Sequence, residues 1–220
     1  MSAPYEFTGA YAGCYTCPPN CMDVRHVYTL CDILRTGVFR SALEVGCADG
    51  ASSTAFVEAA NHTEDLRVTF CDVRVSESLL SVANNLHQKS RGIVANCPSV
   101  KVLENPEQYG GPFDFVLLDG RHDLESVRDE VDLLARNKPL AVAGHDTSAT
   151  LAGYPLAEGA EYLRREVQWG WGWYCIEDNL RRDGEETQRG LFFATPSLGV
   201  YRRARAAFRR WCYAQQGVCA

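Results

Sequence analysis

Between Phe113 and Asp119 the chain reads FDFVLLD, a near-continuous apolar run that ends on a carboxylate. A strand loses the usual alternation of apolar and polar residues when both faces of its sheet are covered, as happens in parallel α/β sheets. The rest of the chain supplies partners for such a strand. Ser41–Gly46 (SALEVG), Leu66–Asp72 (LRVTFCD), Gly92–Asn96 (GIVAN) and Pro139–Gly144 read as further strands. Helical periodicity marks Val24–Arg35, Ser52–Ala60, Glu77–Gln88 and Leu124–Ala135 between them. Val100–Leu103 fits either a short strand or the start of a helix broken at Pro106. This alternation predicts a doubly wound, mostly parallel, Rossmann-like α/β sheet with helices on both faces. Ligands of such sheets bind beyond the carboxyl ends of the strands, where the strand order reverses. Glu44, Asp72, Asn96, Asp119 and Asp146 all fall at or just past such ends.

The 220 residues suit one domain, with an irregular segment over 1–23 and a basic helix or tail over 198–220. The last third has a different texture. A helix is expected over Glu158–Val167, followed by the aromatic run Trp169, Trp171, Trp173 and Tyr174, a polar hairpin-like stretch over Glu177–Arg189, and a strand at Gly190–Ala194 added to the sheet edge. Tyr201–Trp211 carries five arginines and reads as a surface helix packed through Ala206, Phe208 and Trp211. A net charge of -6 repels phosphate backbones, which argues against a nucleic acid partner. No apolar stretch reaches bilayer length, and the opening residues lack the pattern of a secretory leader, so a cytoplasmic protein is expected. The ten cysteines then read as thiols, although Cys14 and Cys17 have CxxC spacing close to Cys21. A homo-oligomer is compatible with the sequence.

Glu44-Val45-Gly46-Cys47-Ala48-Asp49-Gly50 follows a strand and precedes a helix, the setting in which small residues let backbone N–H groups approach a ligand. The glycine pattern is incomplete for a dinucleotide, and Glu44 beside a pyrophosphate would add repulsion. A cationic ligand reverses that sign. S-adenosylmethionine carries an ammonium and a sulfonium, and Asp72, one strand–helix–strand unit further on, can accept from both ribose hydroxyls. The ExGxxxG pattern of Glu44, Gly46 and Gly50 resembles that of the class I methyltransferases over roughly residues 25 to 150. The resemblance implies that Gly46, Cys47, Ala48 and Asp49 line the methionine portion, that Asp72 holds the ribose, and that Asn96 and Cys97 edge the adenine.

A second constellation joins Leu118-Asp119-Gly120-Arg121-His122 to Gly144-His145-Asp146-Thr147. Both segments follow adjacent strands, so Asp119 and Asp146 can converge, and a divalent cation is the usual reason for two carboxylates to do so. Such an ion would chelate a substrate hydroxyl and lower its pKa, while His122 would take the proton as general base. His145 is a candidate third ligand, and Asp123 and Glu125 are expected to cap and favour the following helix. The LDGRH and HDT segments also resemble small-molecule O-methyltransferases that include sugar and antibiotic-tailoring enzymes, whose metal-using members hold magnesium at the matching positions. The expected activity is therefore methyl transfer to a hydroxyl of a small acceptor, a sugar or glycoside among the candidates. A nicotinamide-dependent oxidoreductase and a noncatalytic binding protein on the same fold are the alternatives.

Overall fold

The computed structural model describes residues 22–147, 156–178 and 190–213. Cys14, Cys17, Cys21, Cys219 and most of the expected polar hairpin lie outside these residues. In chain order the elements are α1 (Val24–Leu34), β1 (Ser41–Val45), α2 (Ser53–His62), β2 (Arg67–Asp72), α3 (Glu77–Ala83), β3 (Gly92–Asn96) and α4 (Ser99–Glu104). They continue with β4 (Phe115–Leu118), α5 (Leu124–Asn137), β5 (Ala141–His145), α6 (Leu156–Arg165), β6 (Tyr174–Asp178), β7 (Leu191–Thr195) and α7 (Leu198–Phe208). The strands form one sheet in the order β3-β2-β1-β4-β5-β7-β6, parallel as far as β5 and antiparallel at both pairings of β7.

Two buried apolar layers hold the sheet between its helices. On one face Phe70, Phe115, Leu117 and Phe193 meet Leu30, Leu34, Phe56 and Phe208 from α1, α2 and α7. On the other Leu43, Val116, Val142 and Phe192 meet Leu134 and Leu163 from α5 and α6. The expected fold class is the one observed, with strands β1, β4 and β5 buried along their whole lengths. The segment from Val100 resolves as helix α4, which ends ahead of Pro106 in a short 3-10 turn.

Three expectations need adjustment. Helix α3 stops at Ala83 instead of Gln88, because the Asn61 side chain of α2 captures the following backbone, donating to the Asn85 carbonyl and accepting from the His87 amide at 3.0 and 2.8 Å. The strand from Leu191 is not an edge addition: it lies between β5 and β6, and the edge is β6, within the stretch read as aromatic and polar. Edge exposure leaves Tyr174 and Glu177 in solvent and blurs the strand pattern. The basic C-terminal helix is also more deeply seated than a surface helix. Val200, Ala204, Ala207 and Phe208 are buried along one side, whereas Ala206 faces solvent. Trp211 stacks on Tyr28 of α1 and donates from Nε1 to Asp32 at 2.8 Å, with Arg210 paired to the same carboxylate.

Phe208 is fully buried in the layer shared by α1 and α7. Phe208→Ala is expected to lower unfolding free energy by about 3–5 kcal/mol, the cost of a large aromatic cavity. Urea denaturation of both proteins measures it.

Candidate active site

The strand order reverses between β1 and β4, whose chain connections leave in opposite directions, and there the loops beyond both strands meet. Asp119 N donates to Val45 O and Gly46 N to Cys71 O, each at 2.9 Å. Gly46 has a φ of 81°, and a Cβ on it would lie 2.2 Å from the Asp119 carbonyl oxygen, so only glycine permits the approach. Ala48 also takes a left-handed φ of 45°, uncommon for a residue with a side chain. Its amide donates to Asp72 Oδ2 and that of Arg74 to Oδ1, both at 2.8 Å, which holds the carboxylate at the loop. A cavity of 470 Å³ opens at this junction, walled by Gly46, Ala48, Asp72, Cys97 and Asp119 and by the exposed apolar face of Val73. Asp129 adds a third carboxylate to those of Asp72 and Asp119, against the single guanidinium of Arg121, while burial pushes the Glu130 carboxyl up to about 7, so on balance the cavity suits a cationic ligand.

The other expected cofactor residues sit differently. Glu44 is fully buried beneath the loop, where Ser52 Oγ donates to its Oε1. Burial pushes the Glu44 carboxyl up to about 7, against the pull of the Ser52 hydroxyl. Cys47 is buried with its thiol directed at the carbonyls of Glu44 and Cys71. Glu44 and Cys47 thus shape the loop from below, while Asp49 and Asn96 are exposed and lie off the cavity wall.

At the ends of β4 and β5 the second constellation converges. His145 Nδ1 lies 3.2 Å from both Asp119 Oδ1 and Asp146 Oδ1, and His122 Nε2 lies 3.3 Å from Asp146 Oδ2 and 3.9 Å from Asp119 Oδ1. Asp119, His145 and Asp146 each offer a ligand atom, all within 4.8 Å of one another. Asp146 holds a φ of 55°, rare for a residue with a side chain and of the kind found at functional positions. Gly159 lets α6 come against this rim, since a Cβ there would be 2.3 Å from the His122 carbonyl oxygen. Asp123 caps α5 as expected, accepting from Ser126 N at 3.0 Å, and also pairs with exposed Arg121. Trp171 and Trp173 pack against the α5–α6 layer and Trp169 is exposed.

Sequence reasoning missed the layer below. His26 of α1 and Asp178 of β6 have no exposed surface, and His26 reaches His145. Burial holds His26 below its ordinary value despite the Asp178 carboxylate beside it. Nothing in the sequence distinguishes this histidine, which sits among the apolar positions of an amphipathic helix.

Residues 43–144 match the model of a family described as a methyltransferase domain. That match and the observed fold support a class I, S-adenosylmethionine-dependent methyltransferase. Cofactor-bound Rv0187 from MTB is similar in fold, with a TM-score of 0.64 at 18% identity, covering 81% of this chain and 83% of its own. An O-methyltransferase from Bacillus cereus in complex with SAH gives 0.62 at 16% identity over the same shares. CalS11, a TDP-rhamnose 3'-O-methyltransferase of calicheamicin biosynthesis, gives 0.54 at 12%, covering 78% and 79%. No curated protein matches the chain. None of these likenesses favours the nicotinamide alternative.

The raised Glu44 carboxyl carries a pH signature. Its proton is held more tightly in the folded than in the unfolded chain, so the stability it contributes is present below about pH 4.5 and is lost as pH rises through about 7. Glu44→Gln is therefore expected to match wild type near the lower pH and to exceed it by on the order of 3 kcal/mol above about pH 8 in cofactor-free protein. Denaturant unfolding at the two pH values checks the sign.

Proposed function

We propose that this protein transfers a methyl group from S-adenosylmethionine to a hydroxyl of a small acceptor, a sugar or glycoside, with the help of a divalent cation, Mg²⁺ being favoured. One observation carries the reading: Asp119 belongs both to the wall of the acid-lined cavity and to the Asp119–His145–Asp146 cluster, so donor and acceptor would meet across a single carboxylate. Two carboxylates and one imidazole form a donor set that suits a hard or borderline divalent ion. When bound, the cofactor supplies an electrophilic methyl group and the cation acidifies the hydroxyl it chelates.

The chain's own residues do the rest. Gly46 and Ala48 keep the β1 loop low enough for a ligand to lie along it, and Asp72 presents a fixed carboxylate for the ribose hydroxyls. Cys97 and Val73 offer apolar surface beside Asp72 for the adenine. His122, part-exposed at the rim, accepts the proton of the acceptor hydroxyl, and Asp146 and Asp119, 3.3 and 3.9 Å from its Nε2, stabilise the imidazolium formed. The sugar-modifying neighbour supports the acceptor class. Cys31, Cys47, Cys71, Cys97, Cys175 and Cys212 are free thiols, which suits a reducing, cytoplasmic setting. Among the described residues no helix is long and apolar enough to cross a membrane.

Glycosides and catechols bearing adjacent hydroxyls are the first acceptors to screen. With an accepted substrate, chelation by EDTA is expected to abolish turnover and Mg²⁺ to restore it, and Asp119→Asn and Asp146→Asn to lower activity by at least about tenfold. Full turnover after verified metal removal contradicts the metal role.

A further inference from the structure

Among the described residues Glu130 of α5 is the one buried carboxyl on the wall of the 470 Å³ cavity. It is 3% exposed, whereas Asp72 and Asp119 are half-buried and Asp129 stands in solvent. A carboxyl so placed gives up its hydration, a loss that hydrogen bonds must offset. Ser99 Oγ donates to Glu130 Oε1 at 2.6 Å, and Oε2 has no hydrogen-bond partner among the described residues. That oxygen is not sealed in the core, and the surface Glu130 presents is the cavity wall.

The fold sets this oxygen at the β3 end of the cavity. Asp72 and Asn96 are neighbours in register, and Cys71 Sγ donates to Cys97 O at 3.3 Å, so the chain beyond β3 stays beside the Asp72 loop. α4 begins there, and α5 is tied to it by the Ser99–Glu130 bond and by Asn137 Nδ2, which donates to Leu103 O at 2.7 Å. The neighbouring wall is apolar, with Cys97, Pro98 and Val100. Ser126 adds no free donor, since its amide and hydroxyl are both given to Asp123.

An adenine attached through N9 has a single hydrogen-bonding donor group, its 6-amino group, while N1, N3 and N7 all accept. We propose that Glu130 is the specificity-determining residue for the base of the methyl donor, its Oε2 accepting from the 6-amino group while Ser99 holds Oε1. The assignment rests on the donor reading of the preceding section, with the ribose on Asp72. It holds for either state of the carboxyl: an ionised group accepts at Oε2, and a neutral one does so with its proton on Oε1, shared with Ser99 Oγ. Asn96, expected from its strand-end position to edge the adenine, is instead exposed and off the cavity wall, its amide donating to Val73 O at 3.4 Å.

Calorimetric titration with S-adenosylhomocysteine and with its counterpart bearing hydrogen in place of the 6-amino group tests the assignment. Wild type is expected to bind the counterpart at least about tenfold more weakly, and Glu130→Met, whose apolar chain is of similar length, to bind the two within about threefold of each other. Equal affinities in wild type, or a preference that survives in folded Glu130→Met, overturn the proposal and leave the donor reading standing. A folded wild type that binds neither compound overturns both. Should Glu130→Met fail to fold, a crystal structure of wild type with S-adenosylhomocysteine decides the matter: the adenine amino nitrogen is expected about 3 Å from Glu130 Oε2, and an amino nitrogen bonded elsewhere overturns the proposal.

Discussion

The close approach of Gly46 to the Asp119 backbone is the constraint on which the site depends. It closes the β1 loop onto the β4 loop at the point where strand order reverses, and so brings Ala48 and Asp72 on one side within reach of Asp119 on the other. A side chain of any size at residue 46 would force the two loops apart. The same junction links the cavity beside the β1 loop to the paired rim of β4 and β5, because Asp119 is the first residue after β4 and belongs to both.

Charge is distributed in two layers around that junction. Toward solvent, Asp72, Asp119 and Asp129 leave the cavity with an excess of carboxylate that would repel a dinucleotide pyrophosphate and favour a cationic donor. Below it, Glu44 and His26 are both so deeply buried that their charged forms are disfavoured. The upper layer is suited to binding, whereas the lower one packs beneath the loop and against His145. That division explains why Glu44 belongs to the motif without lying on the cavity wall.

The parallel half of the sheet was legible because burial on both faces leaves strands such as FVLL nearly free of polar residues, and because strand-end acids mark the rim. The antiparallel half was harder to read. β6 is an edge strand whose Tyr174 and Glu177 are exposed, so its pattern merges with the aromatic run before it, and β7 gives no sign in sequence that it inserts inside β6. The convergence of Gly46, Ala48, Asp72, Cys97 and Asp119 on one cavity was legible from the loop motif and strand ends. His26 and Asp178 were not, since they meet His145 only through the pairing of β5, β7 and β6 and the packing of α1.

The central claim, that Asp119 joins a cofactor cavity to a metal cluster, is tested most directly by a crystal structure with S-adenosylhomocysteine and Mn²⁺, using anomalous scattering to locate the metal. The account predicts the homocysteine moiety along the loop of Gly46 and Ala48, the ribose on Asp72, and one anomalous peak contacting Asp119, His145 Nδ1 and Asp146. An anomalous peak confined to other residues, or the nucleoside bound outside the cavity, would contradict it.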